Sequence, residues 1–453
     1  MTVAATGSDT SRGSDTSRGS HTNRGSDTSR GGGHSPLRWW VLALAAIAVS
    51  SSYYESDVVG SVADLLERQR GLSQSQIGML NGIISIPNVA LALINGVLID
   101  RFGPARIALW AAGIGVIGAA LTAIGIPYEL MVAGRFIFGI SEGAIFIALV
   151  AGLAQWFSRS GIALATALYL SLARVGSYGE NTSPAWAHSL FERGWQAPLW
   201  LGTGITFVGL IAALIYYWVD QHHRPGAGAA AGAVERVVWK DLLKFDMSYW
   251  YILGVHVLYA AVFFPFRQTY AVEYFQHAKG LTLQQAGIAN SWVFFAAIFA
   301  TPFFGLLADR LGHRALMLVF GTLLLPLTFV VLGLTNLSLW VTTVMMGVSW
   351  SLVPAVIWPA TTIIVEPRRL GTALGLITLI QALGMAASNL AAGWLADQAG
   401  AGAQNPAGYA VMLGFFFLLS LTALTSALLL WRREAGPTGH GLEEARPAAA
   451  LTV

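Results

Sequence analysis

The sequence predicts an all-α membrane protein in which twelve transmembrane helices form two pseudo-symmetric six-helix bundles. Three observations predict this fold class: a low content of charged residues, a series of long apolar segments, and one short motif that occurs twice. Of the 453 residues, 55% are hydrophobic and only 11% are charged, whereas a soluble domain carries about 25% charged residues. Long uncharged runs of this kind are typical of helices that cross a lipid bilayer.

Twelve apolar segments follow one another along the chain, and most are long enough to cross a bilayer core of about 30 Å. Proline and glycine inside them are ordinary in membrane helices, where they often mark bends. The predicted segments are 39–66, 74–99, 105–126, 129–156, 160–190, 196–219, 248–277, 283–308, 314–334, 338–365, 369–396 and 407–431. The long polar connection between the sixth and seventh segments predicts one bundle at 38–220 and a second at 248–432.

Three polar regions lie outside the bundles. Residues 1–37 contain a six-residue pattern that begins at Ser8–Gly13 and recurs three times. Such polar repeats have no apolar face to bury, so we expect a disordered cytoplasmic tail. We expect a cytoplasmic linker at 221–247 and a second cytoplasmic tail at 433–453.

The distribution of lysine and arginine predicts the orientation of the helices. When both termini are placed in the cytoplasm, 19 of the 26 Lys and Arg residues fall on the cytoplasmic side. Only Arg68, Arg70, Arg193 and Lys279 fall on the opposite side. Because positive residues accumulate on the cytoplasmic side of membrane proteins, we expect both termini inside, and we place the chain in the plasma (inner) membrane of a bacterium.

The repeated motif lies in two short loops about half a chain apart. It reads GVLIDRFGPAR at Gly96–Arg106 and GLLADRLGHR at Gly305–Arg314. Its glycine allows two helices to touch, its aspartate can pair with a neighbouring helix end, and its arginines stay cytoplasmic. The residues predicted to control gating in these loops are Asp100, Arg101, Asp309 and Arg310.

The motif resembles the loop signature of the major facilitator superfamily, which lies between helices 2 and 3 and again between helices 8 and 9. Gly134-Arg135 together with Gly139 resembles the fourth helix of many facilitators, in which the arginine is mostly structural or gating. The resemblance implies a secondary transporter whose two bundles give alternating access to a central site. It also adds Arg135 to the predicted gating residues.

Charged residues inside the apolar segments indicate where a substrate binds, because an ion at mid-bilayer normally faces a cavity or a partner. Glu142 and Arg174 lie near the midpoints of consecutive segments, so we expect them at one depth and within reach of each other. They can neutralise each other, bind a ligand, or do both. Two carboxylates and two arginines near one plane suit a zwitterion. The predicted substrate-binding residues are Tyr54, Glu55, Glu142, Arg174, Glu180, Arg267, Asn290 and Trp358.

Several classes of chemistry are not expected. The chain has no cysteine, and its nine histidines lie in tails and loops or are scattered singly. Neither a G-x-S-x-G motif nor a Walker loop occurs. We therefore expect no enzyme activity, no cofactor, no metal and no nucleic acid; the expected partners are a small-molecule substrate and the lipid bilayer.

Within the superfamily, residues 38–432 resemble the lysosomal dipeptide uniporter branch and its bacterial relatives. The matching pieces are Tyr54-Glu55, Pro87–Val89, Gly134–Ile140, Ser171–Ser177, Val262–Phe266, Asn290-Ser291, Gly305–Leu307, Trp358-Pro359 and Leu370–Gly375. The Glu-x-x-Glu-Arg motif of the proton-coupled oligopeptide branch is replaced by YYESD at 53–57, which disfavours that branch. The animal members work with a glycosylated accessory subunit, and nothing in this sequence indicates one.

The resemblance to the dipeptide branch implies that Arg174 holds the peptide carboxylate and that a glutamate of the fourth helix holds the amino group. That branch carries its glutamate one residue later, where this chain has Gly143. One residue turns a side chain by about 100° around a helix, so Glu55 and Glu180 stay candidates beside Glu142.

The preferred function is passage of a small zwitterion, with dipeptides as the first expectation, by uniport or proton coupling. Two alternatives stay open. One is an organic-anion carrier in which Arg174 and Arg267 bind carboxylates. The other is a membrane receptor or assembly factor that has this fold and transports nothing.

Overall fold

A computed structural model describes residues 36–157, 161–223, 245–335 and 337–444. Residues 1–35 of the predicted N-terminal tail, residues 224–244 of the predicted linker and residues 445–453 lie outside the described ranges. The side chain of Asp309, a predicted gating residue, is also not described.

The N-terminal half contains six long helices and two short ones. They are α1 (Leu37–Arg70), α2 (Gln74–Phe102), α3 (Pro104–Ile124), α4 (Tyr128–Trp156), α5 (Ile162–Asn181), α6 (Ser183–Trp186), α7 (His188–Glu192) and α8 (Gln196–His223). The predicted segment 160–190 is wrong at its C-terminal end, because the long helix stops at Asn181. Pro184 follows in the first turn of α6, a position where proline is tolerated because the N–H it lacks would have no helical partner.

The C-terminal half also contains six long segments, one of which is interrupted. Its helices are α9 (Met247–Pro265), α10 (Ala271–Lys279), α11 (Leu283–Leu311), α12 (Arg314–Leu334), α13 (Leu339–Ile364), α14 (Leu370–Gln398) and α15 (Tyr409–Glu434). A π-helical turn, Phe266–Tyr270, joins α9 to α10 directly after Pro265. Such turns insert one extra residue into a helix and are frequent at functional sites.

Length and composition support nine or ten crossings of the membrane among the described residues. Among the described residues, nine helical segments are apolar and long enough to cross, or ten when the two parts of α2 are counted as one bent span. The other two, α1 and α5, carry charged residues in their interiors, including Glu55, Asp57, Arg174 and Glu180. The prediction of six long segments in each half is therefore confirmed.

Each half has its own hydrophobic core. One cluster of buried side chains extends from Tyr249 to Leu442 and lies entirely in the C-terminal half. Two further clusters are built almost wholly from the N-terminal half. We call the end of the bundle that carries Leu37 and Glu434 the terminal face, and the opposite end, with loops such as 71–73 and 280–282, the far face.

The two halves meet between mid-depth and the far face. Asp397 at the end of α14 accepts hydrogen bonds from the backbone N–H groups of Gln74 and Ser75, at 2.8 and 2.9 Å. These groups begin α2, where the helix dipole favours a negative charge. Gly393 lets α14 approach this turn closely, because a Cβ there would lie 2.5 Å from the carbonyl oxygen of Gln74. Further hydrogen bonds join the halves in this region, such as those from Asn81 to Thr269 and from Gln268 to Ser56, so the molecule is closed at the far face.

The described part of the C-terminal segment is folded. Residues 435–444 turn back onto the start of α12, where the Arg314 N–H donates to the carbonyl oxygen of Leu442 at 2.9 Å. The Leu442 side chain is completely buried. Leu442, which lies in the predicted tail, therefore belongs to the core of the C-terminal half.

Candidate substrate-binding cavity

A cavity of about 160 Å³ lies between the two halves at mid-depth. Drug-sized ligands occupy pockets of roughly 300–1,000 Å³, so this cavity suits a small solute. Helices α1, α2, α4 and α5 form one wall, and α9, the π-helical turn, α11, α13 and α14 form the other.

The two walls differ in chemistry. The N-terminal wall is polar and charged, and its ionisable groups include Asp57, Glu142 and Arg174. The C-terminal wall is largely aromatic; its large side chains are Phe263, Phe264, Phe294 and Trp350, and they lie beside Arg267. A ligand in this cavity would meet charges on one side and rings on the other.

Arg267 is already paired. Its Nη1 and Nη2 donate to Oδ2 and Oδ1 of Asp57 at 3.0 and 2.8 Å, which is the bidentate geometry of a strong charge-assisted pair. Both side chains are only 3% exposed, and the guanidinium lies 4.5 Å from the centre of the Phe294 ring. Because Asp57 belongs to α1 and Arg267 to the π-helical turn, this ion pair connects the two halves.

Glu142 and Arg174 face the same cavity, and neither forms an ion pair with another residue that the structure describes. Within the described part of the chain, neither side chain forms a salt bridge of 4.0 Å or less, with the other or with a third residue. Arg174 lies over the ring of Trp350 at 5.5 Å, so its guanidinium is placed by a cation–π contact. The structure brings the two residues to one cavity and leaves both charges available to a ligand.

The register of α4 determines which residue reaches the cavity. A Cβ at Gly143 would lie 2.0 Å from Oδ1 of Asn88 on α2, so a larger side chain there would displace Asn88. Glu142, one position earlier, lines the cavity. The glutamate of this chain therefore lines the cavity from position 142, although the resemblance implies a glutamate at position 143.

Three other predicted binding residues lie inside the N-terminal half. Tyr54 borders a separate apolar pocket between α1, α5 and α8. Glu55 points toward Gly202 of α8 and lies 3.7 Å from Nη1 of Arg135. Glu180 is 1% exposed near the end of α5.

Neither Asn290 nor Trp358 lines the cavity, and the two residues have different surroundings. The Asn290 side chain donates to the carbonyl oxygen of Arg267 at 3.1 Å and contacts Asn181 across the interface. It therefore supports the turn that carries Arg267. Trp358 is 41% exposed and packs edge-on against His256 at 5.3 Å.

Arg135 ties three helices together. It is fully buried and donates to the carbonyl oxygens of Leu80, Glu55 and Ser56, at 3.2, 2.7 and 2.7 Å. It also donates to Oδ1 of Asn81 at 2.8 Å. The network continues into the C-terminal half, because Asn81 donates to Thr269 at 3.0 Å and Thr269 donates to Asn389 at 2.7 Å. Arg135 thus joins the packing of the N-terminal half to the closed interface.

The other predicted gating residues lie at the terminal face. Asp100, Arg101 and Arg310 are exposed there, and the Arg101 guanidinium lies 5.2 Å from the Phe102 ring.

Sequence reasoning missed several residues that join the two halves between mid-depth and the far face. Asp57, Gln74, His277 and Asp397 all form hydrogen bonds or ion pairs across the interface. The available signal was the number of acidic residues near the far ends of α1, α10 and α14. Helix periodicity does not say which of these ends meet.

The Major Facilitator Superfamily model matches residues 45–276 and 252–452, and the chain belongs to this family. The fold and central cavity are those of a multi-pass membrane transporter for small molecules and not of an enzyme.

Two curated relatives and one solved structure illustrate what the chain is similar to. The human lysosomal dipeptide transporter MFSD1 is 29% identical over 407 residues, which cover 86% of this chain and 85% of that protein. The probable sulfoacetate transporter SauU of Cupriavidus necator is 22% identical over 288 residues, or 60% of this chain and 65% of that protein. A bacterial homologue of the human lysosomal transporter Spinster, in an inward-facing and occupied conformation, aligns with a TM-score of 0.70 at 17% identity. That alignment covers 88% of this chain and 98% of the homologue.

Proposed function

We propose that the protein carries a small zwitterion, a dipeptide in the first instance, by alternating access across the inner membrane of a bacterium. The observation that carries this proposal is the contrast among the charges of the cavity. Glu142 and Arg174 line it and form no ion pair with another described residue, whereas Arg267 is held by Asp57. One available carboxylate and one available guanidinium match the two ends of a zwitterion.

Each group has a distinct part in binding. The planar Arg174 guanidinium would donate two parallel hydrogen bonds to the substrate carboxylate, and Glu142 would accept from its amino group. The aromatic wall would pack against the substrate's side chains. Because charges taken from water into a buried site must be paired to offset their desolvation, a ligand with both charges is favoured over one with a single charge.

The relatives support the same class of substrate. Those that match most of the chain are named as dipeptide transporters. Relatives named for sulfoacetate and monocarboxylate transport fit the organic-anion alternative. That alternative requires both Arg174 and Arg267 to be free for carboxylates, and the ion pair with Asp57 disfavours it.

The closed far face and the charge distribution suggest a direction for the cycle. Lysine and arginine placement supports a cytoplasmic terminal face, and in that orientation the closed far face would be closed to the outside. Closing the terminal face and opening the far face would expose the cavity to the other side. Both uniport and proton coupling fit this cycle.

The test is a four-point binding experiment on the purified protein. Wild type and Glu142→Gln are each titrated with a free dipeptide and with its N-acetylated form. We expect Glu142→Gln to weaken binding of the free peptide about a thousandfold, since losing one member of a desolvated pair costs several kcal/mol. The acetylated peptide should bind both proteins equally weakly. A coupling energy near zero would refute the amino-group role and favour the organic-anion carrier.

Uptake into liposomes separates a transporter from a receptor on the same fold. We expect labelled dipeptide to accumulate inside vesicles that contain the wild-type protein. Binding without accumulation would support the receptor.

A further inference from the structure

A groove of about 490 Å³ runs along the surface of the C-terminal half, next to the far face. Its walls are the ends of α10 and α12, the start of α15 and the short turn Pro406–Gly408 that precedes α15. It is larger than the central cavity of about 160 Å³ and shares none of the residues that line that cavity. Transport through the central cavity gives this groove no role.

The groove is apolar, and its shape is fixed by contacts behind it. Among the described residues, no acidic side chain lines it, and its large rings include Tyr274, Phe329 and Phe417. The Tyr274 hydroxyl donates to the carbonyl oxygen of Leu332 at 3.1 Å, and its ring packs edge-on against Tyr409 at 5.7 Å. These contacts join α10, α12 and α15, so the groove is preformed.

Two glycines keep the groove open. A Cβ at Gly414 would meet no atom within 4 Å, and a Cβ at Gly333 would meet Cδ1 of Leu413 at 4.0 Å. A side chain at either position would therefore project into open space instead of pressing on a neighbouring helix.

The groove lies at membrane depth. Its three helices belong to segments that are long and apolar enough to cross a bilayer, Met247–Lys279, Arg314–Leu334 and Pro406–Glu434. The lining residues of α15 run from Tyr409 to Phe417, a rise of about 12 Å at about 1.5 Å per residue. Since a bilayer core is about 30 Å thick, one leaflet accounts for about 15 Å. The groove therefore extends through most of one leaflet, which suits an acyl chain.

A positive charge lies at the far-face end of the groove. Lys279, the last residue of α10, lines it there. Its Nζ donates to the carbonyl oxygen of Thr335 at 3.3 Å, which leaves two of the three ammonium hydrogens for another acceptor. Within the described ranges, Lys279 forms no salt bridge of 4.0 Å or less. Trp340, at the start of α13, is 51% exposed nearby in the sequence, as is common where a membrane meets water.

We propose that this groove binds one anionic phospholipid, with an acyl chain along Tyr409–Phe417 and the headgroup phosphate at Lys279. Apolar walls below a lysine complement a lipid chain below a phosphate, and basic residues at the membrane surface attract anionic lipids. The groove lies wholly within the C-terminal half. The inference therefore rests neither on the alternating-access cycle nor on the substrate proposed above.

The test is native mass spectrometry of the purified protein with equal amounts of phosphatidylglycerol and phosphatidylcholine that carry the same acyl chains. We expect about fivefold more bound phosphatidylglycerol, the preference that one basic residue near an anionic headgroup gives. Excess glycerol phosphate, which has the headgroup charge and no chain, should not displace the lipid. Equal binding of the two lipids, or displacement by glycerol phosphate, would overturn the proposal.

Charge variants assign the headgroup to its site. Lys279→Gln should bind the two lipids equally, and Lys279→Arg should keep the preference for phosphatidylglycerol. Arg193→Gln is the matched control, because Arg193 is an exposed far-face cation of the other half, and it should behave like wild type. A loss of preference in Arg193→Gln as large as in Lys279→Gln would mean that overall charge attracts the lipid, and the site would be refuted.

A second variant fills the groove and leaves the lysine in place. Gly414→Leu should reduce binding of both lipids. Gly113→Leu on α3 is the control, since a Cβ there also meets no atom within 4 Å. Thermal unfolding compared with that of wild type checks that each variant is folded. Lipid binding that is unchanged in Gly414→Leu would place the lipid elsewhere and overturn the proposal.

Discussion

Two arginines line one cavity and differ in whether a carboxylate pairs with them. Arg267 has a carboxylate partner from the opposite half, whereas Arg174 lies against a tryptophan ring and has no ion pair within the described ranges. The comparison separates two uses of a buried guanidinium. A paired one joins helices, and breaking the pair changes how the halves meet. An unpaired guanidinium in a cavity is stabilised when an anionic ligand binds to it.

The largest effect is expected at the unpaired arginine. Arg174→Ala should weaken dipeptide binding about a thousandfold, because the substrate carboxylate would lose its partner in a desolvated site. Arg174→Lys should fail nearly as badly, since lysine keeps the charge and loses the planar fork. Calorimetric titration measures both. Robust uptake of a C-terminally amidated dipeptide by the wild type would contradict this role.

The second prediction turns the paired arginine into an unpaired one. Asp57→Asn removes the carboxylate that holds Arg267, so we expect binding of a small dicarboxylate to tighten about tenfold, as one added charged hydrogen bond would give. Asp57→Arg combined with Arg267→Asp keeps an ion pair with reversed charges and serves as the control. Unchanged anion binding in Asp57→Asn would mean that pairing does not determine the role of Arg267.

The third prediction concerns the ring beneath Arg174. Trp350→Leu should weaken dipeptide binding about fivefold, because a cation–π contact contributes about 1 kcal/mol. Trp358→Leu is the matched control, since Trp358 is exposed and lies outside the cavity lining. A larger loss in Trp358→Leu than in Trp350→Leu, measured by the same titration, would favour the site predicted from the sequence.

The smallest effect is expected at the terminal face. Asp100 and Asp309 are predicted to hold the outward-open state through contacts at helix ends, and exposed contacts contribute at most about 1 kcal/mol. In a Ser85→Cys background, where the cysteine lines the cavity, Asp100→Asn should change labelling by an impermeant thiol reagent about twofold. The Ser85→Cys protein with and without Asp100→Asn is labelled from each side of the membrane. If the two proteins are labelled equally from both sides, Asp100 has no gating role.

The sequence was sufficient to predict the fold, because hydropathy and the repeated loop report local properties. It also placed Glu142 and Arg174 at one depth, and both line the cavity. It did not predict the partner of Arg267. Depth follows from counting residues, but the direction of a side chain depends on helix rotation, and the π-helical turn adds one residue just where Arg267 lies.

The contacts between the halves were harder to predict for another reason. Asp397 and Gln74 are 323 positions apart in the chain and bond through a backbone N–H group. Nothing in either local sequence specifies the other. Glu55 satisfies the same criterion of a charge within a membrane segment, yet it points toward Gly202 of α8 in its own half.

The folded C-terminal segment makes the two copies of the loop motif unequal. Around the second copy, the Glu443 carboxylate accepts from the Leu316 N–H at 3.1 Å and contacts His313 at 3.0 Å. These contacts act as a clamp that holds the start of α12 against the C-terminal segment. Among the described residues, the loop after Arg101 has no such clamp. A shortened protein that ends before Leu442 would lose a core side chain and a helix cap together, so affinity tags belong after residue 444.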